Sequence, residues 1–176
     1  MFDDMKSIYL AIVLAPLAGS ILAGLFGKTL GRGGAHWVTI IGVGISSILS
    51  MLAYKHIVFD GGAIFNGAVY TWLTSGGFGF EIGFLIDRLS VSMMVVVTFV
   101  SWMIHIYTIG YMHDDPGYQR FFSYISLFTF AMLMLVMSNN FLQLFFGWEA
   151  VGLVSYLLIG FWYKKPSANA AAMKAF

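Results

Sequence analysis

The chain has 176 residues, of which 60% are hydrophobic and 10% are charged, and its mean hydropathy is +0.86. A soluble domain of this size does not need so many apolar side chains, so the composition predicts a membrane protein. The net charge of +1 provides no basic field for phosphate, so nucleic acid is not an expected partner, and the absence of cysteine excludes disulfides and Cys-ligated iron–sulfur or zinc sites.

Five apolar stretches are long enough to cross a bilayer, because about 20 helical residues span about 30 Å of hydrocarbon. Each is expected to be helical, since lipid offers the backbone no hydrogen-bond partner, and the predicted class is an all-α polytopic membrane protein. An Ala-rich stretch from about residue 168 predicts the start of a sixth helix, too short to span, so we expect the chain to be a fragment. The predicted spans are residues 7–27, 36–54, 84–111, 121–137 and 141–163.

Basic residues in the short connections predict the orientation of the helices, because positive loops favour the cytoplasmic side. Lys6 and Lys55 fall on one face of the membrane. Five basic residues fall in the first, third and fifth connections, on the other face: Lys28, Arg32, Arg120, Lys164 and Lys165. The N-terminus is therefore expected on the non-cytoplasmic side, and a chance distribution of so few charges is the alternative explanation.

The connection at residues 55–83 is too polar and glycine-rich for lipid and is expected outside it. Aromatic and aliphatic side chains alternate with Gly and Glu at residues 78–84, a period of two that is typical of a half-buried strand. The sequence predicts a short outer β-hairpin, with a first strand at residues 69–73 and a turn at residues 75–77. An irregular loop lying on neighbouring helices fits the same composition.

The strongest functional signal is Glu149, in the fifth predicted span. It lies eight residues after Phe141, which places it about 12 Å along a helix, near mid-membrane. A charge at that depth costs about 3 kcal/mol, so such a residue generally needs a partner or a water-filled cavity. Gly147 and Gly152 favour close approach of another helix and a buried interior face. Tyr156 projects in nearly the same direction as Glu149 and is expected to support it. A proton-exchanging carboxyl is the favoured interpretation, and a static interhelical hydrogen bond is the alternative.

The third predicted span carries polar residues along one face. They project within about 80° of one another at 100° per residue, and they are Asp87, Ser90, Thr98, Ser101, His105 and Thr108. This stripe fits a hydrated path and fits helix packing equally well, since Ser and Thr also join membrane helices through hydrogen bonds. His105 is a candidate proton relay, because imidazole exchanges protons near neutral pH, and a purely structural role is its alternative.

The remaining polar residues predict no metal, cofactor or enzymatic site on this chain. His36, His56 and His113 lie at membrane edges or in loops, and their spacing from carboxylates matches no metal site. Phosphate-loop, dinucleotide and nucleophile-elbow motifs do not occur.

Several strings of residues resemble the family of large antiporter-like subunits of proton-pumping NADH:quinone oxidoreductase, or respiratory complex I. This is the L-type subunit, known as chain 5 in mitochondria. The strings are GWEAVGL at 147–153, SYLLIGF at 155–161, FLIDRLS at 84–90, IHIY at 104–107, YM at 111–112 and GYQRFF at 117–122. The resemblance covers essentially the whole chain and about the first third of a full family member.

The resemblance implies a role for Glu149 as the membrane carboxylate of a proton half-channel, paired with a lysine that lies beyond Phe176. It implies that NADH, FMN, iron–sulfur clusters and quinone bind to other subunits, so no cofactor is expected on this chain. The implied partners are the other membrane subunits of complex I and the lipid bilayer. The implied location is a bacterial inner membrane, or the mitochondrial inner membrane for an organellar protein.

Two other functions remain open. The large subunit of multisubunit Na⁺/H⁺ antiporters has similar N-terminal spans and is the rival within the same class. A helical scaffold that only holds other subunits together is the alternative outside transport.

Overall fold

The computed structural model describes residues 2–175, with the side chains of all these residues except 2–4, 75 and 78. Helices run alternately in opposite directions, and one antiparallel β-hairpin interrupts them. In chain order the elements are α1 Phe2–Leu25, α2 Gly27–Tyr54 with a π-helical turn at Lys55–Phe59, β1 Phe65–Ser75, β2 Phe78–Ile86, α3 Arg88–Tyr111, α4 Tyr118–Val136, α5 Phe141–Ile159 and α6 Pro166–Ala175.

Five of these helices are long and apolar enough to cross a membrane, which confirms the predicted all-α polytopic class. The third span begins at Arg88, four residues later than predicted, because Phe84 and Ile86 pair in β2. Asp87 then caps α3, and its carboxylate accepts a hydrogen bond of 2.7 Å from the Ser90 amide. That bond holds the pKa of Asp87 below its ordinary value.

The predicted outer hairpin is present and longer than expected. Its turn consists of Gly76 and Gly77, whose φ angles of 58° and 85° are in the left-handed region that glycine adopts most easily. Strand β2 also contacts the connection between α4 and α5, because the Leu85 amide donates to the Met137 carbonyl at 2.9 Å. The Gly83 amide donates to the Gln143 side-chain oxygen at 2.9 Å. The hairpin is therefore attached to the bundle.

The connections separate onto two opposite ends of the bundle. Arg32, in the kinked start of α2, donates to the main-chain carbonyls of His113 and Asp115 and so joins the first and third connections. Arg120 donates to the Phe161 carbonyl at 3.0 Å and joins the third and fifth. The five basic residues of the sequence prediction thus share one end, opposite the hairpin. That this end faces the cytoplasm stays a prediction.

Close packing of α1 against α2 and α4 depends on small residues. A Cβ on Gly42 would stand 2.7 Å from the Ala15 carbonyl oxygen, and one on Gly24 would stand 2.7 Å from the Ser123 hydroxyl. Between α1 and α4, the Ser20 hydroxyl donates to the Ser123 carbonyl at 2.8 Å. Small side chains and hydroxyls at helix contacts are the usual means of helix association in membranes, where lipid competes for apolar surface.

Pro16 lies inside α1 and has no N–H, so it deprives the Ile12 carbonyl of its helical hydrogen bond. The Ser46 hydroxyl of α2 replaces the missing donor, at 2.7 Å from that carbonyl. Ser46 is completely buried. A proline in the middle of a membrane helix is therefore tolerated because the neighbouring helix supplies the hydrogen bond.

We expect Ser46→Ala to lower the free energy of unfolding by about 1 kcal/mol, because the Ile12 carbonyl loses its donor in a buried site. In a Pro16→Ala background, residue 16 regains its amide, and the same Ser46→Ala change should cost clearly less. Thermal unfolding in detergent of the four members of this double-mutant cycle measures the difference. Equal losses in both backgrounds would show that Ser46 does not serve the proline-freed carbonyl.

Candidate functional site

Glu149 lies near the middle of α5, whose first turn is capped by the Asn140 side chain. The Asn140 side-chain oxygen accepts a hydrogen bond of 2.8 Å from the Gln143 amide, which fixes where the helix begins. The Glu149 side chain is exposed, and within residues 2–175 it has neither a hydrogen bond nor an ion pair. Its place along a span is thus as predicted, and its face is one that this part of the chain does not cover.

The opposite face of α5 packs on α4. Gln143, Gly147 and Val154 are buried there. A Cβ on Gly147 would stand 2.9 Å from the Cα of Leu135, so glycine permits the close contact of the two helices. A Cβ on Gly152 would meet nothing within 4 Å among the described atoms. Gly147 therefore lies in the contact with α4, on the side away from Glu149, whereas Gly152 lies outside that contact.

Tyr156 follows Glu149 by seven residues on the same continuous helix, so both side chains project to the same side. The Tyr156 side chain is 38% exposed. It lines a cleft of about 300 Å³ between α4, α5 and α6, together with Arg120, Asn169 and Ala172. The carboxyl and the phenol thus share a face that is open in this part of the protein.

His105 lies on α3 and is completely buried. Its Nδ1 is 2.7 Å from the Ser101 carbonyl oxygen, and since a carbonyl only accepts, Nδ1 is the donor. Nε2 of the neutral ring is then an acceptor, and it has no partner among the described residues. The Ser101 hydroxyl also shares a hydrogen bond of 2.5 Å with Thr129 of α4. His105 therefore has one unused nitrogen inside the bundle.

The polar stripe of α3 faces α2 and α4, and four of its members, Ser90, Thr98, His105 and Thr108, are buried. Thr98 and Thr108 each donate to the carbonyl four residues earlier on their own helix, at 2.7 Å. Hydroxyls that are satisfied in this way serve packing more directly than conduction. His105 differs from these threonines because one of its polar atoms remains without a partner.

The structure does not bring His105 and Glu149 together. Helix α4 contacts both α3 and α5 and lies between them, with His105 on its inner side and Glu149 on the far face of α5. Within the described residues His105 is buried and Glu149 is exposed, and the two do not share a hydrogen bond. No group of three or more His, Asp or Glu side chains that could hold a metal ion occurs in residues 2–175.

A second polar cluster, which the sequence patterns did not predict, joins the third and fifth connections. The Trp162 indole donates to the Asp115 carboxylate at 2.9 Å, and this hydrogen bond lowers the pKa of Asp115. Asp115 also accepts from the Gly117 amide at 2.7 Å. The Arg120 guanidinium lies 4.6 Å from the centre of the Phe161 ring. The run of aromatic and basic residues at 161–165 is the sequence feature from which this cluster could have been predicted.

Two family models match the chain. Residues 72–122 match the model described as NADH-Ubiquinone oxidoreductase (complex I), chain 5 N-terminus. Residues 138–176 match the model described as NADH:quinone oxidoreductase/Mrp antiporter, TM. The second match includes α5 and Glu149.

Named relatives agree with these models. The chain is 65% identical to NADH-quinone oxidoreductase subunit L of Neisseria meningitidis serogroup B, over 99% of this chain and 26% of that protein. It is 49% identical to NADH-ubiquinone oxidoreductase chain 5 of Arabidopsis thaliana, over 95% of this chain and 25% of that protein. The chain thus spans about a quarter of the length of these curated relatives.

A solved structure shares the fold. It is a chain of the membrane-bound sulfane sulfur reductase, an archaeal respiratory membrane complex, with a TM-score of 0.71 and 17% sequence identity. The superposition covers 93% of the present chain and 24% of the archaeal chain.

The packing of α5 on α4 can be tested by comparing its two glycines. We expect Gly147→Ala to lower the free energy of unfolding by about 1–3 kcal/mol, because the added methyl group overlaps the α4 backbone at Leu135. Gly152→Ala in the same chain is the matched control. Its Cβ meets nothing among the described atoms, so it should leave stability unchanged or raise it by up to about 1 kcal/mol, since alanine favours a helix over glycine. Thermal unfolding of both variants in detergent measures the effects. Equal effects of the two changes would contradict the assigned packing face.

Proposed function

The chain belongs to the L-type, or chain 5, family of antiporter-like membrane subunits of NADH:quinone oxidoreductase, and from this membership we propose that it contributes to proton translocation. The observation that carries the proposal is the Glu149 carboxyl, placed midway along a membrane-spanning helix. We assign it the role of the proton-exchanging group of a half-channel.

The position of Glu149 has an energetic consequence. A carboxylate at the centre of a bilayer costs about 3 kcal/mol or more when lipid surrounds it. The residues of this chain leave the Glu149 side chain open, so we propose that further parts of the protein, or a water-filled cavity, cover that face. Either arrangement gives the carboxyl a partner or a route for protons.

A cation in that covering region provides the coupling. The family resemblance implies a lysine on a later, broken helix as the counter-charge of Glu149. When that cation is near, Coulomb attraction stabilises the carboxylate, and when it moves away the protonated carboxyl is favoured. Movement of one charge thereby controls uptake or release of a proton by the other, which is a reciprocal coupling between two sites.

Two further residues have supporting roles in this proposal. Tyr156 lies on the Glu149 face and offers a hydroxyl along the same side of α5. His105 is a relay residue of a separate polar region, since Nε2 is free to accept a hydrogen bond and α4 separates it from Glu149.

The redox reaction takes place elsewhere in this proposal. NADH, FMN, iron–sulfur clusters and quinone bind to other subunits, and other membrane subunits of the complex are the direct partners of this chain. The protein lies in a bacterial inner membrane, or the inner membrane of a mitochondrion, with its N-terminus on the non-cytoplasmic side. The basic residues gathered at the opposite end of the bundle support this orientation.

A second function is cation/proton antiport without a redox partner. It is favoured by the match of residues 138–176 to a model that also describes Mrp antiporters. The same carboxyl would then exchange protons against a cation gradient. Proton transport driven by a Na⁺ gradient in vesicles without NADH would identify this function.

We expect Glu149→Gln in the full-length protein to reduce NADH-driven proton pumping at least about tenfold, because the amide cannot exchange a proton at this depth. Glu149→Asp retains the carboxyl and should restore part of the pumping. The measurement is the initial rate of acidification of proteoliposomes, normalised to the amount of assembled complex.

Glu81→Gln is the matched control, because Glu81 is an exposed carboxylate on the outer hairpin. It should leave pumping unchanged. If Glu149→Gln instead lowers the amount of complex while pumping per complex stays the same, the chain is a scaffold and the pump proposal is wrong.

A further inference from the structure

A basic cleft lies at the end of the bundle opposite the hairpin, between the third and fifth connections. It has a volume of about 440 Å³, within the range of about 300–1,000 Å³ that small-molecule sites occupy. Arg120, Trp162, Tyr163, Lys164 and Lys165 contribute to its lining. Glu149 does not contribute to its lining, although Arg120 and Tyr163 also line the neighbouring cleft beside Tyr156.

The cations of the cleft have unused capacity for an anion. Lys164 and Lys165 are exposed, and neither has a carboxylate partner within residues 2–175. Lys165 Nζ lies 4.8 Å from the centre of the Trp162 ring. Asp115 is the one acidic side chain of the lining, against three cations, and its charge interacts with Arg120 and Arg32. The cleft therefore has an excess of positive charge.

Arg120 is held in place at the base of this cleft. One guanidinium nitrogen donates to the Phe161 carbonyl at 3.0 Å, and the group lies 5.4 Å from the centre of the Tyr163 ring. Its buried Nε has no partner among the described atoms. Helix α6 begins directly after Lys165, so the positive end of its dipole also lies at this end of the bundle.

The cleft stands at the level where the membrane spans end. Helix α3 ends at Tyr111, α4 begins at Tyr118 and α5 ends at Ile159, all beside it. Trp162 and Tyr163 are 43% and 58% exposed, and such aromatic residues are enriched at the headgroup level of a bilayer. An anion held at this depth has apolar rings on one side and water on the other.

We propose that this cleft binds the phosphate group of an anionic phospholipid, with Lys164 and Lys165 as its main ligands and Arg120 as a fixed cation behind them. Basic pockets between membrane helices suit lipid phosphates, because the headgroup remains at the interface while the acyl chains follow the helix surface. A free phosphate ion carries the same chemistry but has no acyl chains to occupy the aromatic and apolar part of the lining.

The first test places a photoreactive benzoylphenylalanine at Tyr163 of the full-length protein in its complex. The bilayer is phosphatidylcholine with a minority of phosphatidylglycerol, and crosslinked lipids are identified by mass spectrometry. The reference places the same photoreactive residue at Trp37, an exposed aromatic residue in the same half of the membrane. We expect the phosphatidylglycerol share of the crosslinked lipid to be about fivefold higher at Tyr163 than at Trp37. Equal ratios at the two positions would overturn the proposal.

Variants assign the enrichment to the cleft. Lys164→Gln together with Lys165→Gln should abolish it, while Lys28→Gln, which removes an exposed cation at the same end outside the cleft, should leave it unchanged. If Lys28→Gln reduces the enrichment as much as the double change, the effect is a general surface potential, and the assignment of a site is wrong.

A measurement on the unaltered protein distinguishes the sources of phosphate. Phosphatidylglycerol should protect Lys164 and Lys165 from an amine-acylating reagent several-fold more than it protects Lys28, compared with phosphatidylcholine alone. Equal protection by inorganic phosphate in phosphatidylcholine would mean that the site binds free anions. Lysines that resist acylation in phosphatidylcholine alone would mean that protein already covers the cleft. Either result overturns the lipid assignment.

Discussion

The absence of water around the spans determines how this chain is built. Every main-chain polar group in the hydrocarbon layer must find its partner within the protein. Pro16 has no N–H, so the Ile12 carbonyl lacks its helical hydrogen-bond donor. The Ser46 hydroxyl donates to that carbonyl instead, and this hydrogen bond joins α2 to α1. A similar demand applies outside the hydrocarbon layer wherever the main chain is buried. Phe84 and Ile86 of β2 are buried, and the nearby amides of Leu85 and Gly83 bond to the α4–α5 region. Satisfying the backbone thus also fixes which elements are neighbours.

The two sites that we propose lie in separate parts of the charge distribution. Five basic side chains lie at one end of the bundle, where main-chain carbonyls and aromatic rings contact Arg32, Arg120 and Lys165. The Glu149 carboxyl lies far from that end, on a helix face that this quarter of the family's length leaves uncovered. Those three cations have partners within the described residues, whereas the Glu149 carboxyl has none there. This difference is why Glu149 points to transport and the basic end points to binding at the membrane surface.

Much of the fold could be predicted from the sequence, because the spans and the hairpin turn depend on residues that are close together in the chain. The five spans follow from apolar stretches, and the Gly76-Gly77 turn follows from the need for positive φ angles. The start of α3 was harder to predict, since residues 84–86 are apolar enough for lipid yet pair with β1. Strand pairing is a contact between distant segments, and hydropathy does not report it.

For the candidate site, the sequence predicted the positions of residues along their helices but not the contacts between helices. The depth of Glu149 follows from counting residues along α5, but whether another segment covers the carboxyl depends on contacts between distant residues, which no local pattern reports. The pairing of Gly147 with Leu135 depends on how two helices face each other, which helical spacing alone leaves undetermined. His105 was found through its stripe, and its free Nε2 became evident once the Ser101 carbonyl was seen to occupy Nδ1.

The contact between α1 and α4 has a consequence for biosynthesis. Ser20 and Ser123 bond to each other across 103 residues of chain, and the Ser126 hydroxyl likewise reaches the Pro16 carbonyl. Helices leave the ribosome in order, so α1 enters the bilayer well before the serines that complete its surface have been synthesised. The hydrogen bonds between α1 and α4 can therefore form only after the fourth helix has been synthesised.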